Sequence, residues 1–229
     1  MARDVIIACD FNNEKDFWSF LKKFPNNKPF LKIGYELFYA SGKYLIIKLI
    51  NDGYKVFLDL KLHDIPNTVI GAIKSLNDYR VDFISLHAAG GNNMMREAKK
   101  VCNSHTKLVA ITQLTSTDQQ MLTNDLLIER KINDVIYHYA VNALNSGIDG
   151  VVCAAGESAY IKQHISNDLI TICPGIRLKK TNCQDQKRVY TPAEAYKQKV
   201  DYIVVGREIT KAKNPLVTYL KIKKEFLNE

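Results

Sequence analysis

An α/β fold in which eight strand–helix units close into a single (β/α)8 barrel is what this sequence predicts, and three observations carry it. Short β-like apolar runs recur eight times, and segments with helical patterning separate them. Regular alternation of this kind argues a parallel sheet with right-handed crossovers. The 229 residues also suit one such barrel, which typically takes about 250. A doubly wound open sheet is the alternative, but the G-x-G-x-x-G fingerprint it often carries after its first strand is missing. The expectation is therefore a TIM barrel over residues 1–229, as one domain.

In order, the chain enters its first strand, Val5–Asp10, almost directly from Met1. Phe30–Gly34 follows after the amphipathic stretch Glu14–Phe24, and Glu36–Asn51 reads as the next helix. The third strand, Val56–Lys61, is the informative one. Period-two alternation puts Phe57, Asp59 and Lys61 on one face, and Val56, Leu58, Leu60 and Leu62 on the other. Pro66 then offers the preset φ of a first helical turn, and Asp64 lies where a helix N-terminus favours an anion. The helix Asn67–Tyr79 leads to the strand Phe83–His87, and Asn92–Asn103 leads to Leu108–Leu114. The widest gap between strands, Thr115 to Ile148, can hold a short helix and then a longer one that includes Asp134–Ser146. Gly150–Ala154, the helix Glu157–Ile165 and Ile170–Pro174 come next. Residues Arg177–Arg188 are polar, basic and without period. A long loop at that place in a barrel reads as a mobile lid or an anion-binding element, though an ordinary surface loop has the same composition. The helix Pro192–Lys199, the strand Tyr202–Gly206 and the helix Pro215–Phe226 complete the chain.

Composition narrows the function classes. Hydrophobic residues make up 46% of the chain, ample for a core, yet no apolar run approaches the roughly 20 residues of a membrane span. The N-terminus shows no secretory pattern, so a soluble cytoplasmic protein with no membrane partner is expected. The five cysteines are scattered and lack C-x-x-C spacing, which suggests neither a disulfide framework nor a zinc site. All five (Cys9, Cys102, Cys153, Cys173 and Cys183) read as structural. The net charge of +8 permits nucleic acid, an anionic surface or phosphorylated small molecules as partners. The lysines are dispersed, however, and the densest cluster closes the terminal helix, where cations complement the helix dipole. With no RNP-like run or basic-aromatic stripe, nucleic acid is not the expected partner.

In barrels of this type the active site lies at the C-terminal ends of the strands. The residues there are Asp10, Lys32, Asp59 with Lys61, His87, Thr115-Ser116, Pro174-Gly175-Ile176-Arg177 and Gly206-Arg207. Two lysines beside two aspartates, with Asp64 close by, make an alternating array. Single buried ions are expensive, whereas a paired array persists. A purely structural network reads the same way at this point. Gly175 after the seventh strand and Gly206-Arg207 after the eighth match the usual barrel phosphate site. No spacing makes His63 and His87 metal ligands, and the lysines would compete with a cation. No Ser-His-Asp order emerges.

Asp59-x-Lys61-x-x-Asp64-Ile65-Pro66-Asn67-Thr68 resembles the signature of the orotidine 5'-phosphate decarboxylase family. The resemblance runs along nearly the whole chain, through Ala8-Cys9-Asp10, Leu31-Lys32-Ile33-Gly34 and Leu86-His87-Ala88-Ala89-Gly90-Gly91. It continues in Leu114-Thr115-Ser116, Asp149-Gly150-Val151-Val152-Cys153, Pro174-Gly175-Ile176-Arg177, Asp185-Gln186-x-Arg188 and Val205-Gly206-Arg207. Cys9 is a small departure where an aliphatic residue is expected.

The resemblance implies a decarboxylase that converts orotidine 5'-monophosphate to uridine 5'-monophosphate without metal or organic cofactor. Catalytic roles would fall to Lys61, Asp59, Lys32 and Asp64. Asp10 would hold the ribose hydroxyls, with Lys32 bridging ribose and array; Asp59 would lie against the substrate carboxylate, and Lys61 would protonate C6. Thr115 and Ser116 would face the pyrimidine edge, with Pro174 also at the substrate. Arg177, Gln186, Gly206 and Arg207 would bind the phosphate side. Asp64 and Thr68 would reach into the neighbouring subunit's site, making a homodimer. A Mg²⁺-dependent sugar-phosphate enzyme of the hexulose-phosphate type also carries D-x-K-x-x-D, but Ile65–Thr68 and Asp185-Gln186 favour the orotidylate reading. A non-catalytic phosphate-ligand or RNA-binding barrel, motivated by the high pI, is the reading from a different class.

Overall fold

The computed structural model describes residues 3–178 and 188–229. Eight parallel strands close in sequence order, and the last pairs back onto the first. They are β1 (Asp4–Ala8), β2 (Phe30–Gly34), β3 (Val56–Leu62), β4 (Phe83–His87), β5 (Lys107–Ile111), β6 (Gly150–Val152), β7 (Ile170–Cys173) and β8 (Tyr202–Val205). The helices between and after them are α1 (Glu14–Leu21), α2 (Tyr35–Ser41), α3 (Lys43–Asn51), α4 (Pro66–Leu76), α5 (Gly91–Val101), α6 (Gln119–Asn124), α7 (Ile132–Asn145), α8 (Ala155–His164), α9 (Pro192–Lys197), α10 (Arg207–Thr210) and α11 (Pro215–Leu227). The fold is a TIM barrel, as the strand–helix alternation predicts. Among the described residues, no helix is long and apolar enough to cross a membrane.

Two elements differ from their sequence expectation. The single helix expected over Glu36–Asn51 is two, because Gly42 takes φ +70 between α2 and α3, a conformation open to glycine at little cost. The strand expected to run to Leu114 ends at Ile111. Its neighbour β6 is only three residues long, so beyond Thr112, which still bonds the Val152 carbonyl, no ladder partner remains.

The strands bury two faces, as a barrel requires. Val5, Ile7, Leu31, Ile33 and Leu58 point outward into the main core under the helices. Ile6, Ala8, Phe30, Phe57, Phe83, Val109, Ile170, Ile172 and Val204 fill the interior. Aromatic rings dominate the lower interior: Phe30 stacks on Phe83 at 5.6 Å, and Phe57 and Tyr202 meet Phe83 edge-on at 5.9 and 5.2 Å. Above this plug a cavity opens at the C-terminal strand ends, where the charged residues are.

At the opposite end, one device repeats at alternate strand junctions. Asp82, Asp149 and Asp201 each precede an even-numbered strand. Each carboxylate accepts an N–H from the first or second residue of the odd-numbered strand beside it, Val56, Leu108 and Thr171 in turn, all at 2.8 Å. Their own carbonyls accept from Lys107, Ile170 and Asp4 on the other side. Strand starts that would otherwise leave buried donors unpaired are thereby satisfied.

Candidate active site

The site is built on β3. Its register against β4 shifts between Leu58 and Leu62, and within that bulge Lys61 adopts φ +45. A non-glycine residue in the left-handed region is strained, and bulges commonly re-aim a side chain at functional sites. Here the displaced Lys61 N–H donates to the Ser85 hydroxyl at 2.8 Å instead of to a ladder partner. Asp59 and Lys61 both face inward, as the alternation from Phe57 predicts.

Asp59 is 6% exposed. Its Oδ2 lies 2.8 Å from Lys61 Nζ and 3.4 Å from Lys32 Nζ, and its Oδ1 accepts from Ser85 Oγ at 2.8 Å. Lys32 Nζ also reaches Asp10 Oδ1 at 3.2 Å. The result is an alternating chain, Asp10–Lys32–Asp59–Lys61. The face of the Tyr35 ring lies 5.3 Å from Lys61 Nζ. Burial pushes the Asp59 carboxyl up, but Lys32, Lys61 and the hydrogen bonds from Lys61 and Ser85 outweigh it and hold Asp59 below the ordinary carboxylate range. Burial likewise pushes Lys32 down, and Asp59 with Asp10 overcomes this and raises it. Both groups therefore stay charged in a largely dehydrated position, which only mutual pairing allows.

A cavity of about 590 Å³ opens over this array. Asp10, Lys32, Asp59 and Lys61 line it together with Thr115, Ser116, Pro174, Arg177, Gly206 and Arg207. The sequence expectation thus places ten of its residues around one space. Arg177 is held by the backbone, since its N–H donates to the Tyr190 carbonyl and the Tyr190 N–H returns to Gly175. Gly206 precedes α10, and its carbonyl accepts from Ile209 and Thr210. A cavity with carboxylates and ammonium groups on one side and guanidinium groups on another suits a ligand with an anionic tail.

Two expected residues stand apart. Asp64 and Thr68 are exposed on the β3–α4 connection and α4, outside the lining of this chain's own cavity. Gln186 lies outside the described residues, as does Cys183. Sequence reasoning missed Ser85, although Phe83-x-Ser85 alternation already turns it inward, and it missed Gln113, Thr210 and Lys211, which also line the cavity. It also missed a link at the cavity's edge, where Arg188 pairs with the buried Glu157.

His87 and His63 stack with centroids 5.2 Å apart, and His87 Nδ1 accepts from the Ala89 N–H at 3.2 Å. Burial first, then His63 and Lys61, lowers the His87 pKa to about 4. Among the described residues no group of three or more His, Cys, Asp or Glu is placed to hold a metal.

Residues 3–222 match the family model described as the orotidine 5'-phosphate decarboxylase / HUMPS family. The orotidine 5'-phosphate decarboxylase of Streptococcus suis is 47% identical over 222 residues, 96% of each chain. That of Malacoplasma penetrans is 46% identical over 228 residues, covering 98% of this chain and 99% of the other. The crystal structure of orotidine 5'-phosphate decarboxylase from Lactobacillus acidophilus superposes with a TM-score of 0.87 at 37% identity, covering 98% of this chain and 99% of that one.

Proposed function

The chain belongs to the orotidine 5'-phosphate decarboxylase / HUMPS family, and from that membership we propose that it decarboxylates orotidine 5'-monophosphate to uridine 5'-monophosphate, the last step of de novo pyrimidine synthesis. The observation that carries this reading is the Asp10–Lys32–Asp59–Lys61 array facing one cavity with Arg177, Gly206 and Arg207. It is the arrangement expected for a substrate with a phosphate at one end and a reacting carboxylate at the other.

In this reading the bond between C6 and the carboxylate breaks, CO₂ leaves, and the electron pair stays on C6. A proton from Lys61 Nζ then forms the new C6–H bond, and Lys61 recovers a proton from solvent. The carbanion has no adjacent electron sink, so the protein must supply much of the roughly 8–23 kcal/mol that enzymes typically remove from a barrier. Repulsion between Asp59 and the substrate carboxylate at 4 Å is worth about 4 kcal/mol at an effective dielectric near 20, before the lysines offset it. That is too little alone. The larger share falls to Lys61, an ammonium already aimed by Asp59 at the place where charge develops. Asp10 and Lys32 hold the ribose. Thr115, Ser116 and Pro174 hold the pyrimidine side, and Arg177, Gln186, Gly206 and Arg207 the phosphate. Binding at the phosphate contributes by keeping the base against the array. No metal or organic cofactor takes part.

The exposure of Asp64 and Thr68 away from their own cavity supports a homodimer in which each subunit lends them to the other's site. Ile65 between them is 67% exposed, a large apolar side chain suited to an interface. We place the protein in the cytoplasm, as one barrel domain.

The direct test is the ultraviolet absorbance of orotidine 5'-monophosphate mixed with purified protein, with and without EDTA. Rapid conversion unaffected by EDTA is expected, and no conversion by folded protein overturns the proposal. Lys61→Ala should abolish turnover, whereas Arg207→Ala should chiefly raise KM; normal turnover by Lys61→Ala would end the proton-donor assignment.

A further inference from the structure

We propose that Arg188 is a positioning residue that locks the pyrimidine side and the phosphate side of the cavity into one register. Its guanidinium joins three connections at the C-terminal end of the barrel. One terminal nitrogen donates to Glu157 near the start of α8, and the other donates to the Leu114 carbonyl after β5 at 3.0 Å. Glu157 is itself fixed, since its second oxygen accepts from the Ala154 N–H at 2.8 Å. Two residues beyond Arg188, Tyr190 bridges to Ile176, between Gly175 and Arg177. The start of α8 closes on the same segment: a Cβ at Gly156 would overlap the Tyr190 hydroxyl.

The connections joined in this way hold the ligand-facing groups. Leu114 immediately precedes Thr115 and Ser116, and the Tyr190 pairing holds Arg177. A planar guanidinium can satisfy a carboxylate and a carbonyl at once in fixed directions, which an ammonium on a flexible stem cannot do. Arg188 is absent from the cavity lining, so it acts through its neighbours rather than on the substrate.

The inference rests on the proposed decarboxylase reading for its kinetic test but not for its binding test. Arg188→Met, Arg188→Lys and Glu157→Gln are compared with wild type for kcat, KM, Tm and affinity for uridine and inorganic phosphate measured separately. Arg188→Met should raise KM about tenfold, with kcat changed less than about threefold, and should weaken both probes. Arg188→Lys keeps the pair with Glu157 but not the reach to Leu114, so it should recover phosphate affinity and not uridine affinity. Glu157→Gln should resemble Arg188→Met more weakly. The proposal falls if KM stays within twofold in Arg188→Met, or if only phosphate binding suffers there, which would mean direct contact. It also falls if the variants lose Tm and active fraction at unchanged KM, a purely structural role. Should wild type bind both probes without turning over the substrate, the decarboxylase reading fails while the Arg188 comparison stands on the affinities.

Discussion

At Asp59 three donors converge on one dehydrated carboxylate, and two of them are lysines that would be as costly to bury alone. Their shifts set a pH window. The depressed Asp59 pKa means that its contribution to stability is complete above the ordinary value of 3.8 and is lost as pH falls through the folded value. The raised Lys32 pKa means that its contribution is complete below 10.5 and is lost as pH rises through its folded value. Ser85→Ala removes the donor to Asp59 Oδ1. We expect it to cost about 1–3 kcal/mol and to start the acid loss at a higher pH, as followed by circular dichroism during acid titration. His87 adds to the same acid-side slope as Asp59, at higher pH. With a folded pKa of about 4 against an ordinary 6.5, the unfolded chain binds the extra proton between those values, so stability rises with pH across that range. In His87→Gln that part of the slope should vanish, leaving a smaller change in Tm between pH 4.5 and 7.5 than in wild type.

The same logic of satisfied groups governs the elements. Asp82, Asp149 and Asp201 tie alternate strands at the bottom of the barrel, but they differ in what else depends on them. Asp201 also faces the buried Lys162 ammonium at 2.6 Å, so Asp201→Ala would strand a charge as well as an N–H. The expected loss is about 3–5 kcal/mol, against about 1–2 kcal/mol for Asp82→Ala, where a hydrogen bond alone is lost. Denaturant unfolding of the two variants side by side checks the ordering; equal losses would mean that the Lys162 pair contributes nothing. The β3 bulge is the counterpart at the top of the barrel. It bends the strand where Lys61 must point at Asp59, and the Ser85 hydroxyl replaces the ladder bond that the bend removes.

At the scale of the whole molecule, the proposed sharing of a site across a dimer predicts complementation. A preparation of Lys61→Ala and one of Asp64→Asn should each be poorly active. Unfolded together and refolded, they form mixed dimers in which one site carries both changes and the other carries neither. Random pairing then gives about a quarter of wild-type sites, read as recovered turnover after mixing. No recovery, with mixed dimers shown to form, would confine each site to one chain. Much of this architecture is legible along the chain. Alternation between apolar runs and helical stretches sets the barrel, and the alternation in Val56–Lys61 turns Asp59 and Lys61 inward. Gln113 and Ser85 follow the same period-two pattern and were legible in principle, but a neutral side chain draws no notice where charged neighbours do.

The sequence by itself determined the eight-unit barrel, the strand ends at which charges collect, and the family signature, because each is written in local order and periodicity. Only the tertiary structure decided which charges meet. Lys32 and Lys61 share one oxygen of Asp59, Ser85 holds the other, and Arg188 bridges Glu157 and Leu114. Such partners stand 26 residues apart at Asp59 and Ser85 and 74 apart at Leu114 and Arg188. Their meeting depends on closure of the sheet and on a bulge of one strand, and neither leaves a local mark in the order of residues.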